Sequence, residues 1–173
     1  MMSPETHLLL SATALAAIGL WLSERALAVL DLSRGAERVR RAPSTAGYLV
    51  FALHVVLAFA LVHDWSHARA REATARETAE VLGVEHGSGI WWNYVFLAAW
   101  TLDTAAWWLA PRFRARRRWL RAAWHAFFAF LAFFSTAVFG SSPVRVAAWS
   151  VIASTPLLLV ARARLRARTK AAA

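Results

Sequence analysis

The chain has 173 residues, 59% hydrophobic and 13% aromatic, with a formal charge of +10 and no cysteine. Several apolar runs approach spanning length, which places it in the membrane class and makes it too short for two membrane domains. Without cysteine, disulfides, thiolate metal sites, iron–sulfur clusters and c-type haem attachment are excluded, so any metal must take His, carboxylate or backbone ligands.

The positive charge invites a nucleic-acid reading, but its distribution argues against one. Most Arg residues fall in three short clusters, each beside an apolar run, as the positive-inside rule requires of cytoplasmic loops. No nucleic-acid partner is therefore expected. Arg outnumbers Lys 19 to 1 and Ala is abundant, which points to a GC-rich bacterial genome.

The first apolar segment covers about 8–30. Its start is similar to the apolar core of a signal peptide, with Ala26-Leu27-Ala28 in the place of a cleavage site. The preceding MMSPETH has no Lys or Arg, whereas Arg34, Arg38, Arg40 and Arg41 follow the segment. That arrangement predicts an uncleaved span with the N-terminus outside. Pro43, Ser44 and Gly47 punctuate the next loop, and a second span is expected over about 48–64. An Ala-rich, charge-balanced stretch follows at about 66–83, either separate from that span or continuous with it. Its Glu72/Arg76 and Arg76/Glu80 pairs stand at i,i+4, and Gly83 suits a helix C-terminus, so it predicts an extracytoplasmic helical loop.

The third span, about 89–110, organises the chain. Trp91, Trp92 and Tyr94 mark one end and Trp107 and Trp108 the other, as an aromatic belt does, and Asp103 lies in the interior. A carboxylate at that depth is expected to face a bundle interior and to have a partner. Pro111 and the cluster Arg112, Arg114, Arg116, Arg117, Arg118 and Arg121 come next, on the cytoplasmic side. A fourth span is expected over about 119–139, a turn at Gly140–Pro143, and a fifth span over about 144–161 with Pro156 near its inner end. The basic tail ARARLRARTK is then cytoplasmic, near anionic lipid headgroups. Charge alternates consistently across every loop. The sequence therefore predicts an all-α, polytopic helical bundle over 1–173. It has five transmembrane helices, an outside N-terminus and a cytoplasmic C-terminus, in a bacterial inner membrane. Small residues at close-packing spacing recur, such as Ala12, Ala16, Gly19 and Ser23.

At about 1.5 Å per residue, these bounds put His54, Asp103, His125 and Glu24, beside Arg25, in one polar layer with Ser154 and Thr155, roughly 10 Å from the cytoplasmic boundary. Two His and one or two carboxylates from different helices are a donor set for zinc or iron, and two His at matched depth are axial ligands for haem b. The same layer also suits a proton relay between His54 and Asp103. A further reading is a hydrogen-bonded pin, with Asp103 accepting from His54, His125 or Trp N–H groups.

His63 and His67 stand at i,i+4, with Asp64 beside the first and His86 returning to the same end of the bundle. They form an alternative, outer metal site if the helix continues through Asp64–Ser66. The HxxxH pair resembles a single His box of the membrane di-iron hydroxylases and desaturases. The resemblance covers five residues, and the further HxxHH-type boxes are absent. Segment three also carries a stripe of Asn93, Trp100, Asp103 or Thr104, and Trp107, with Tyr94 near its start. It is either the wall of a pocket for a quinone, lipid or pigment or plain aromatic packing. Gly87-Ser88-Gly89 lacks the setting of a nucleophile elbow and reads as a flexible approach to the helix. Three functions follow: a metal- or haem-holding binding or redox module, a proton, ion or small-solute transport element, or a non-catalytic subunit that packs against itself or other membrane chains.

Overall fold

A computed structural model of the chain describes residues 3–30, 36–140, 145, 146 and 149. Among these residues the protein is all-helical: α1 (Pro4–Leu30), α2 (Ala36–Leu61), α3 (His67–Leu82), α4 (Gly89–Leu109), α5 (Pro111–Arg116), α6 (Arg118–Phe133) and a π-helical turn (Phe134–Val138). Three stretches are long and apolar enough to cross a membrane: Pro4–Ala28, Val39–Leu61 and Trp119–Val138. Most of the fifth expected span, with Ser154, Thr155, Pro156 and the basic tail, lies outside the described residues. The chain divides into two units, Met1–His125 and Ala126–Ala173.

In the first unit α1 and α2 form an antiparallel hairpin. Glu24 meets Arg40, Ala17 and Leu20 meet Gly47, and Leu10 and Thr13 meet His54, so one chain rises as the other falls. The helix α2 starts twelve residues before the expected Tyr48, and this corrects the loop assigned to Pro43, Ser44 and Gly47. Pro43 lies inside the helix. It lacks the N–H for the carbonyl one turn back, a loss that packed helices re-satisfy locally. Gly47 is a crossing point rather than a breaker. A Cβ there would stand 3.1 Å from the Trp100 ring, 3.3 Å from the Leu20 Cβ and 3.4 Å from the Ala17 carbonyl oxygen. Its missing side chain lets α1, α2 and α4 converge, as small residues do in membrane bundles.

A tight corner separates α2 from α3. Asp64 and Trp65 adopt left-handed backbone angles, φ 47° and 57°. Two successive non-glycine residues there are costly, and they break the helix between Leu61 and His67. The Trp65 N–H donates to the Phe59 carbonyl at 2.9 Å and the Ser66 N–H to the His63 carbonyl at 2.8 Å. Ser66 then caps α3, accepting from the Arg69 N–H at 3.3 Å. Gly83, at φ 72°, ends that helix by donating to Ala79 at 2.9 Å, the left-handed cap that its sequence position implied. The helix α3 docks against the start of α4. A Cβ on Gly87 would lie 2.7 Å from both Cγ and the carbonyl oxygen of Arg71, and one on Gly89 3.0 Å from Thr74 Cγ2. The Gly-Ser-Gly sequence therefore serves close approach and not flexibility.

The helix α4 runs antiparallel to α2 along its length. Tyr94 faces Phe59, Phe96 and Trp100 face Phe51, Thr101 lies 3.2 Å from the Tyr48 hydroxyl, and Trp108 reaches Thr45 and Arg41. Its 21 residues span about 31 Å, the thickness of a hydrocarbon core. Five are Trp, whose indoles favour the interface, and α4 is not among the three stretches above. The core of this unit is aromatic: Trp100 packs on Phe96 at 5.4 Å, Phe51 at 5.6 Å, Trp124 at 6.2 Å and Tyr48 at 6.3 Å.

In the second unit the helix that contains Phe128 and Phe130 widens into the π turn, closed by the Phe139 N–H on the Phe134 carbonyl at 2.9 Å. Phe130 and Phe134 pack with their rings tilted, centroids 4.6 Å apart, and Phe133 meets Trp149 edge-on at 5.6 Å.

Candidate functional site

The buried charged groups of the first unit gather at one end of the hairpin. Six residues before the end of α1, Glu24 is almost fully buried and accepts from two guanidinium groups. Arg25 donates through Nε at 2.5 Å and Nη2 at 2.7 Å; Arg40, from the start of α2, donates through Nε at 2.9 Å and Nη2 at 2.6 Å. On α4, Asp103 has a partner of its own. Arg114 grips it as a fork, Nε to Oδ1 at 2.9 Å and Nη2 to Oδ2 at 3.0 Å.

Arg114 belongs to α5, which Pro111 starts immediately after α4 ends. The short helix folds the basic cluster back toward its own span and buries this Arg to 5% exposure. The Trp107 ring ties the two carboxylates together, with the Arg114 guanidinium 3.9 Å from its centroid and that of Arg40 5.8 Å away. Elements α1, α2, α4 and α5 thus share a chain of contacts from Glu24 through Arg40, Trp107 and Arg114 to Asp103.

Beside these pairs, three buried polar atoms have no hydrogen-bond partner among the described residues: Thr104 Oγ1, Trp107 Nε1 and His125 Nδ1. Thr104 and Trp107 are one turn apart on α4, next to Asp103. The charges of Arg25, Glu24, Asp103 and Arg114 all reach His125, whose ring centroid is 6.3 Å from that of Trp21. The site therefore offers an N–H donor, a hydroxyl and an imidazole, walled by two ion-paired carboxylates.

His54 is not part of this layer. Its Nδ1 lies 3.0 Å from Thr13 Oγ1 and 3.1 Å from the Leu10 carbonyl, toward the opposite end of α1. The early start of α2 is the reason: twelve added residues move His54 roughly 18 Å farther from the helix start. The His54 and His125 contacts on α1, Thr13 and Trp21, are eight residues or about 12 Å apart. Two ligands of one metal need bonds of about 2 Å. No group of three His, Asp or Glu is placed to hold a metal ion among the described residues.

The outer histidines are dispersed as well. The helix stops at Leu61 and resumes at His67, so His63 and His67 do not share one helix face. His63 packs its ring on Phe59, and burial pushes its pKa below the usual imidazole value. His67 hydrogen-bonds the Tyr94 hydroxyl at 2.8 Å and lies beside Trp91. Asp64 pairs with Arg69 instead of joining the histidines, and His86 is exposed. Of the proposed pocket wall, Trp100 and Trp107 are buried in packing and Asn93 is exposed.

Sequence reasoning missed Arg40 and Arg114 as members of the layer. The signal for Arg114 was present: it stands eleven residues, or three helical turns, after Asp103, which repeats the same helix face.

Fold and site together define an all-helical protein with three helices long and apolar enough to cross a membrane and a buried, ion-paired polar layer. Compared with known proteins, the chain matches no family model, no curated sequence and no solved structure.

Proposed function

We propose that the chain is a five-span protein of the bacterial cytoplasmic membrane, with its N-terminus outside and its C-terminus in the cytoplasm. In this reading it is a proton- or ion-conducting element built on the layer around Asp103, Arg114 and His125. The extent of α4 supports the span count. This helix follows α2 from Phe59 and Tyr94 at one end to Arg41 and Trp108 at the other, so a membrane crossed by α2 is crossed by α4. The basic clusters support the orientation, since Arg40, Arg41, Arg112, Arg116 and Arg117 lie at one end of these helices.

The observation that carries the function is the trio of unpartnered buried atoms on Thr104, Trp107 and His125. A purely structural pin satisfies its polar groups, because each orphaned one costs about 1–3 kcal/mol. Orphans beside ion-paired carboxylates mark a place where water, a proton or a small ion is accepted in passing. In this layer His125 is the titratable side chain without an ion-pair partner among the described residues. One five-helix bundle has little room for two rocking halves, so a relay within the bundle fits better than alternating access, and a homo-oligomer or partner subunits complete the element.

A metal or haem centre draws less support, given the separation of His54 from His125 and the dispersal of His63, His67 and His86. A non-catalytic subunit is the second reading, favoured by the ion pairs themselves, which join α1 to α2 and α4 to α5. Reconstitution into liposomes separates the two. Under an imposed pH gradient the conducting element gives a proton flux that His125→Ala reduces, and a packing subunit gives none.

A further inference from the structure

We propose that Arg41, Thr45 and Trp108 form a site for the phosphate of an anionic phospholipid, on the outer face of the α2–α4 pair. Arg41 stacks its guanidinium 5.0 Å from the Trp108 ring centroid. Its Nε is buried without a hydrogen-bond acceptor, and no carboxylate pairs with it among the described residues. Three neighbouring cations, Arg25, Arg40 and Arg114, are each held by Glu24 or Asp103. Arg41 is thus a fixed, partly desolvated cation that lacks its anion.

Thr45 supplies the second donor. Its hydroxyl oxygen accepts from Trp108 Nε1 at 3.0 Å. Thr13, Thr74, Thr78 and Thr101 each donate to the carbonyl four residues back, but Thr45 makes no such bond among the described residues, which leaves its hydroxyl proton for another acceptor. A guanidinium and a hydroxyl on successive turns of one helix, fixed by an indole, suit a phosphate oxyanion.

The surroundings identify the phosphate as a lipid's and not a free ion. Arg41 lies two residues, about 3 Å, inside the end of the Val39–Leu61 stretch. From there a long side chain reaches the headgroup level by snorkelling. From Thr45 onward, Leu49, Leu53 and Val56 form a stripe along α2 and are 58%, 50% and 48% exposed. That apolar stripe suits an acyl chain, which a free phosphate lacks. Exposed Trp108, Phe113 and Trp119 stand at the headgroup end, and exposed Arg112, Arg116 and Arg117 raise the positive potential there. The inference rests only on the membrane embedding of α2 and α4, and Arg41 lies outside the layer assigned to conduction.

The test is lipid retention. Protein is reconstituted into nanodiscs of phosphatidylcholine with a minor share of phosphatidylglycerol, released into mild detergent, and its bound lipids are weighed by native mass spectrometry. The wild type is expected to retain phosphatidylglycerol selectively. Arg41→Gln should cut that retention about tenfold and Thr45→Val several-fold, with Arg116→Gln and Arg117→Gln close to wild type. Circular dichroism reports the fold of each variant, and Thr45→Val carries the test if Arg41→Gln does not fold. Equal retention in Arg41→Gln and Thr45→Val, or losses no larger than those of the surface Arg variants, overturns the site. Displacement of the lipid by millimolar inorganic phosphate overturns the lipid assignment and leaves a soluble anion as the ligand.

Discussion

Replacing Arg114 by Gln removes the only hydrogen-bonded cation of Asp103 among the described residues and leaves a carboxylate beside Trp107 and Thr104. Two magnitudes compete. If the pair were open to interfacial water it would contribute about 0–1 kcal/mol, as surface ion pairs do. The Arg114 and Asp103 side chains are only 5% and 13% exposed, which puts the pair in the buried regime. There, removing one partner costs about 3–5 kcal/mol, because the other charge stays behind. Loss of the guanidinium 3.9 Å from the Trp107 centroid adds about 1–2 kcal/mol. The expected cost of Arg114→Gln is therefore about 4–7 kcal/mol. Asp103→Asn with Arg114→Gln should recover most of it, because replacing both charges is far cheaper than stranding one. Equilibrium unfolding in mixed micelles across the full double-mutant cycle measures this. A single-variant cost below about 1 kcal/mol, or strictly additive effects, refutes the buried pair.

Gly47→Leu should destabilise the hairpin by about 1–3 kcal/mol or more, because the Cβ alone would meet the buried Trp100 ring at 3.1 Å; the melting temperature in detergent and Trp fluorescence read the effect. Gly87→Ala should undock α3, since the new Cβ would stand 2.7 Å from the Arg71 carbonyl oxygen. Limited proteolysis within 67–82 should then accelerate, and Ser66→Ala, which removes the α3 cap at a cost of about 1 kcal/mol, should act in the same direction. Burial lowers the His63 pKa, so the folded corner binds its proton less readily than the unfolded chain. Its stability is fully present above about pH 6.5 and falls as pH drops through that value toward the lower folded pKa. Hydrogen exchange of α3 should rise over that window, and His63→Gln should flatten the profile.

The elements with strong local signals were legible. Apolar length gave α1 and, within a residue at its end, α4, while charge pairing and Gly83 gave α3. The start of α2 was not legible, because Pro43 and Gly47 are loop residues in water but crossing-point residues in a packed membrane pair. That error carried into the site. A depth count from a wrong helix start put His54 beside Asp103, whereas it sits with Thr13. The demand that Asp103 have a partner was sound physics, but the partner came from a basic cluster that reads as a solvated loop. Pro111 hides the relation by ending one helix and starting the next, and the fold-back of α5 restores it. The corner at Asp64 and Trp65 has no sequence signal, since neither is glycine, and it alone dissolves the His63–His67 pair.

The central claim is that the layer around Asp103, Arg114 and His125 conducts. Proton flux into liposomes loaded with a pH-sensitive dye, under an imposed gradient, tests it most directly. Wild-type protein should raise the flux well above that of protein-free liposomes, with His125→Ala and Asp103→Asn returning it toward that baseline. A wild-type flux equal to the protein-free baseline would contradict the claim and make the paired charges a structural pin of a membrane subunit.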